Sequence, residues 1–133
     1  MQLKTAFIWI LRILSAAILL QTLYFKFTGH PESVALFSKL GVEPWGRVGT
    51  GIIELIAGIL LLLPATFLIG ALLGVGLMAG AILSHIMVIG IESSGDGGQL
   101  FLLAIIVLCS CVLILILKRA ELLLLLKKIT VNK

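Results

Sequence analysis

Charge is scarce in this sequence: Asp, Glu, Lys and Arg make up 12% of 133 residues, against 61% hydrophobic. A soluble domain of this length could not bury so many Leu and Ile, and its surface would be one apolar patch. The shortage of charge excludes a soluble globular protein, and a mean hydropathy of +1.28 agrees. Cysteine and histidine are nearly absent, with two of each. Cys109 and Cys111 stand two apart, on nearly opposite faces of a helix, so they cannot bond within it. Nor do they form the Cys-x-x-Cys pair of redox four-helix bundles, and both read as buried small apolar groups. Two His and two Cys so placed do not converge at zinc spacing, and no metal site is expected. His30, before Pro31 in a loop, reads as a cap or surface residue rather than a ligand. A phosphate-cradling glycine loop, a Ser–His–acid set and a haem His pair are all missing. The net charge of +4 could suit nucleic acid, but the cations sit at the ends of apolar segments, so no nucleic-acid partner is expected. Barrel-type alternation is missing too, which leaves helices.

What the sequence has is long apolar runs. A helix needs roughly 20 such residues to cross the hydrocarbon core. Four runs qualify, at about residues 5–27, 45–63, 67–91 and 100–117, within a single domain covering residues 1–133. The expected fold is an all-α membrane protein, a four-transmembrane-helix bundle. Four spans put both termini on one side. Lys4, Lys118, Arg119, Lys127, Lys128 and Lys133 gather there, against Lys26, Lys39 and Arg47 in the first loop, so the termini are expected to be cytoplasmic. Glu92 and Asp96 in ESSGDGGQ suit an outer loop. Trp9, Tyr24 and Trp45 are placed as interfacial anchors. A signal peptide over residues 1–20 is the rival reading, and Arg12 interrupts its apolar run.

The first loop, HPESVALFSKLG, predicts a short amphipathic helix lying as a lid on the outer surface. Pro31 suits a first helical position, Val34, Phe37 and Leu40 recur at helical spacing, and Gly41 is placed to end the helix. The cationic tail, residues 118–133, is expected to lie on the inner interface, where a soluble partner could also dock. At 100° per residue, Arg12, Ser15, Ala16, Leu19, Leu23 and Lys26 share one stripe of the first helix. Gly51 and Gly58 flank Glu54 on the second, so a neighbouring backbone is expected to approach beside the carboxylate. Gly70, Gly74, Ala81 and His85 share a face of the third, and Gly76 with Gly80 form a second small face for packing.

Depth selects partners. Glu54 and His85 each fall roughly 9 Å below the outer surface at 1.5 Å per residue, and Lys26 lies at the same end. An unpaired charge there is costly, so Glu54 is expected to pair with His85 or with Lys26. Arg12 lies nearer the inner side, a poor partner for Glu54 and free to snorkel to the interface. The plain alternative for the cluster is an ion pair that holds helices in register.

Arg12 in the first span, then FKFTGHPESVALFSKLGVEPW, GTGIIELIAGILLLLP and GVGLMAGAILSHI, taken in that order, resemble the DoxX and DoxX-like small membrane proteins. In that family a first-helix Arg, a Lys followed by a Gly, a second-helix Glu followed by a small residue and a Leu run, and a small-residue third helix ending in His recur. Arg12, Lys26 with Gly29, Glu54 with Gly58, and Gly80, Ala81 with His85 occupy those places, and the resemblance covers about residues 8–90. It implies a multi-pass protein of the bacterial inner membrane. Founding members are associated with thiosulfate:quinone oxidoreductase, so it also implies a membrane subunit beside a redox enzyme, not an enzyme on its own. Quinone is the implied ligand, in a pocket of Glu54, His85 and Lys26, with Arg12 as a secondary candidate. A homo-oligomer is compatible with this reading. A small proton-coupled transporter and a scaffold without chemistry are the alternatives.

Overall fold

Lipid offers the backbone no hydrogen bonds, so a chain this apolar must close its own, and helices do so locally. The computed structural model describes residues 2–132; Met1 and Lys133, the latter counted above among the terminal cations, lie outside the described residues. The chain forms α1 (Gln2–Gln21), α2 (Leu23–Phe27), α3 (Pro31–Lys39), α4 (Trp45–Leu62), α5 (Phe67–Ser84), a π-helical turn (His85–Ile89), α6 (Gln99–Leu117) and α7 (Arg119–Val131). Four stretches, Gln2–Phe27, Trp45–Leu62, Phe67–Ile89 and Gln99–Leu117, are long and apolar enough to cross a bilayer. The protein is an all-α four-helix membrane bundle, and no strand occurs among the described residues.

The first span is two helices, because Thr22 interrupts it. Its hydroxyl lies 2.8 Å from the Leu19 carbonyl, a local contact that competes with regular helix. The third span does not run as plain α-helix to residue 91. It widens into the π-turn at His85 and stops at Gly90, whose φ of 88° and ψ of 167° suit only glycine.

Around the bundle, α1 packs on α4 and α6, and α5 packs on the same two, so α1 and α5 face each other across the ring. Lipid is as apolar as the core, so helices associate through close packing rather than a hydrophobic drive, and small residues permit it. Ala57 and Ala71 are fully buried, and Ala16 nearly so. A Cβ on Gly70 would stand 2.7 Å from the Leu61 amide nitrogen, and one on Gly74 would stand 2.6 Å from Cys111 Sγ. At Gly51 and Gly58, by contrast, the space is filled by the side chains of Phe27 and Leu20. The close backbone approach expected beside Glu54 is therefore found at Gly70 instead. A Cβ on Gly76 or Gly80 would meet nothing within 4 Å, so they do not form a second packing face. Cys111 is buried within 3.9 Å of Ser15 Oγ, but Cys109 is exposed on the bundle's outer side. The expectation that both thiols are buried is corrected: residues two apart on a helix point opposite ways, and only one can face the core.

The buried residues of α1 and α2 include Arg12, Ser15, Ala16, Leu19 and Leu23, the stripe expected from spacing. At the end of the bundle away from the termini, α3 lies against α2, α4 and the π-turn. Pro31 opens it, His30 Nδ1 accepts from the Glu32 amide at 3.3 Å, and Gly41 at φ 77° follows it. Phe37 is buried beneath the lid, and Lys39 Nζ donates to the Ile89 carbonyl at 3.2 Å. At the opposite end, α7 buries none of its residues.

Candidate functional site

Between α1 and α5, under α3, lies a cavity of about 570 Å³, within the range typical of small-molecule sites. Leu36, Phe37, Leu77, Met78 and Leu103 give it apolar walls. Gly76, Gly80 and Ala81 line it too, so the small residues of α5 hold open the space rather than close it. Lys26, Glu54 and His85 all reach this cavity, joined by Thr50, Ser84 and Gln99.

Of the two pairings expected for Glu54, the structure forms the one with Lys26. Lys26 Nζ stands 3.0 Å from Glu54 Oε2, with 11% and 6% of the two side chains exposed. Thr22 Oγ1, 2.9 Å from the same oxygen, supplies a second polar contact. Thr22 and Lys26, four residues apart on one face, thus set a hydroxyl and an ammonium on one carboxylate. Arg47 steadies this end: its Nε donates to both Glu43 carboxylate oxygens at 2.9 and 3.0 Å, and its Nη1 donates to the Lys26 carbonyl.

His85 is held separately. Its Nδ1 lies 2.9 Å from the Gly90 carbonyl, an acceptor only, so Nδ1 carries the hydrogen and the neutral ring leaves Nε2 as an acceptor. The ring is 3% exposed and meets Phe101 edge-on at 5.6 Å between centroids. Its backbone carbonyl closes the π-turn through the Gly90 amide at 2.6 Å, and such turns within helices are frequent at functional sites.

Asp96, also on the cavity wall, caps the start of α6. It accepts from the amides of Ser93 at 3.0 Å, Gly98 at 2.8 Å and Leu100 at 3.0 Å. Burial works against its charge, but those three amides outweigh burial and hold the carboxyl below its ordinary value.

Arg12 does not join the cavity. It lines a separate notch near the termini, and at 3% exposed it is buried among helices rather than snorkelling. Its Nε donates to the Leu61 carbonyl at 2.7 Å, and its guanidinium stacks on Trp9. Thr22, Arg47 and Asp96 were missed in the sequence. Spacing could have found Thr22, on the Lys26 face of the first span; Arg47 stands in the first turn of α4, where its partners are set by the packing of α2 on α4, and Asp96 lies in a loop that leaves no periodic signal. Among the described residues, no group of three or more His, Cys, Asp or Glu could hold a metal ion.

No curated protein and no solved structure was found to match the chain. The model of the DoxX-like family matches residues 10–115, which cover the bundle, the lid helix and the cavity between them, and the chain belongs to that family.

Proposed function

We propose that this protein is a membrane subunit of a redox assembly and that its cavity binds a quinone headgroup. The observation that carries this reading is the convergence of Lys26, Glu54 and His85 on one apolar cavity of about 570 Å³. The fit is chemical: a quinone ring is flat and apolar, with carbonyl oxygens that need donors and, when reduced, hydroxyls that need acceptors. When bound, the quinone supplies a two-electron, two-proton couple, its electrons exchanged with a partner redox enzyme. Lys26 would donate a hydrogen bond to a bound quinone oxygen, and His85 Nε2 would accept a proton from a quinol hydroxyl or return it. The Nδ1 bond to Gly90 keeps that ring aimed. Glu54 balances the Lys26 charge and holds its ammonium at the cavity wall. The lid helix keeps water from the reacting oxygens. The setting is the bacterial inner membrane.

Titration of the purified protein with a short-chain ubiquinone or menaquinone analogue, read by intrinsic Trp fluorescence, tests this. Saturable binding is expected, about tenfold weaker in Glu54→Gln, since a charge-assisted contact contributes on that scale. Absence of saturable binding with both analogues would sink the reading. Substrate-dependent proton flux through liposomes, with no quinone binding, would replace it with a transporter.

A further inference from the structure

At the terminal end of the bundle, Arg12 is a cation without a countercharge among the described residues. Its contacts are the Leu61 carbonyl at 2.7 Å and the rings of Trp9 and Phe67, whose centroids lie 3.7 and 4.5 Å from the guanidinium carbon. None of these is an anion. Arg12 Nη2 is buried without a hydrogen-bond partner, alone in this among the side-chain nitrogens and oxygens of the described residues. A guanidinium does not shed its proton to escape this situation. A fixed charge in a membrane-spanning segment is costly unless an anion meets it.

The notch beside it, about 80 Å³, is lined by Thr5, Ile8, Trp9, Arg12, Phe67 and Lys118. Lys118 adds a second cation, 30% exposed at its side chain and paired at 2.8 Å with Glu121. The volume suits one compact group and nothing of substrate size. Arg119, Lys127 and Lys128 follow on α7 and make this end of the molecule broadly cationic.

We propose that the notch binds the phosphate of an anionic glycerophospholipid headgroup, held by Arg12 and Lys118. Guanidinium geometry matches phosphate oxygens, and basic pockets between membrane helices recruit such headgroups. A tryptophan such as Trp9 belongs at headgroup depth. A lipid, unlike free phosphate, would also lay its chains along the exposed apolar side of α1 toward the membrane centre, where Ile13 and Leu14 are 54% and 41% exposed.

The test is thermal unfolding of the full chain in detergent, titrated with phosphatidylglycerol, phosphatidylcholine or inorganic phosphate. Phosphatidylglycerol is expected to raise the midpoint saturably, and the other two are not. Arg12→Gln also removes the bond to Leu61 and can unfold the protein, so the deciding variant is Lys118→Gln. It is expected to weaken the phosphatidylglycerol response about fivefold, whereas Lys127→Gln/Lys128→Gln, outside the notch, leaves it near wild type. Equal responses to the two lipids, or an equal loss in the α7 variant, overturns the site as a specific one. A midpoint shift reproduced by inorganic phosphate alone overturns the lipid as its occupant.

Discussion

Lys26 and Glu54 each hold a charge inside a membrane bundle because the other is 3.0 Å away. Removing one partner leaves a buried charge uncompensated, which costs about 3–5 kcal/mol, whereas replacing both with apolar groups of similar size is far milder. Lys26→Met and Glu54→Leu should therefore each lower stability markedly in detergent, and the double variant should recover most of the loss. Losses that simply add in a double-mutant cycle would show that the two charges do not depend on one another. The same residue-scale logic separates Arg12 from this pair. Its place on the Lys26 stripe and its depth toward the inner side were legible from spacing, but its bond to the Leu61 carbonyl and its Phe67 neighbour were not, because those contacts come from where α1 sits against α4 and α5.

At the scale of elements, α5 shows how one helix meets opposite demands. Its Gly70 faces the α4 backbone, where an added Cβ would lie 2.7 Å from Leu61 N and 3.1 Å from Ala57 O. Backbone cannot step aside as a flexible side chain can, so Gly70→Ala should cost about 1–3 kcal/mol through helix separation. Gly76 and Gly80 face open space, and alanine there should be neutral or stabilise by about 0.5–1 kcal/mol through helix propensity. Unfolding midpoints of the three variants check this; a Gly76→Ala loss as large as that of Gly70→Ala would mean the cavity closes in solution. The glycines look alike in the sequence. Which of them packs and which lines a cavity depends on the neighbouring helix. The same holds for Cys109 and Cys111, whose opposed directions follow from helix geometry while the choice of inward face does not.

For the whole molecule, four spans put the N-terminal end of α1 and all of α7 on one side, with α3 and the 90–98 loop on the other. The excess of Lys and Arg around α7 predicts that its side is cytoplasmic. Single cysteines at Ser94 and at Asn132, in a background of Cys109→Ala/Cys111→Ala, should label from opposite sides of intact cells. An impermeant maleimide is expected to reach Ser94→Cys and to spare Asn132→Cys until the cells are opened. The reverse pattern would invert the orientation and put the proposed lipid notch in the outer leaflet.

The sequence by itself determined that the chain crosses a membrane as four helices, that α3 caps one end, and that Lys26, Glu54 and His85 lie at that end. Those features follow from run length, from capping residues such as Pro31 and Gly41, and from the rise of a helix, all local to the chain. Only the tertiary structure decided that Glu54 takes Lys26 and Thr22 while His85 turns to Gly90, and that Arg12 stands in a separate notch. The physical reason is that partners in a bundle are set by which helices adjoin around the ring. That order is decided where small residues such as Ala57, Gly70 and Ala71 let backbones come close.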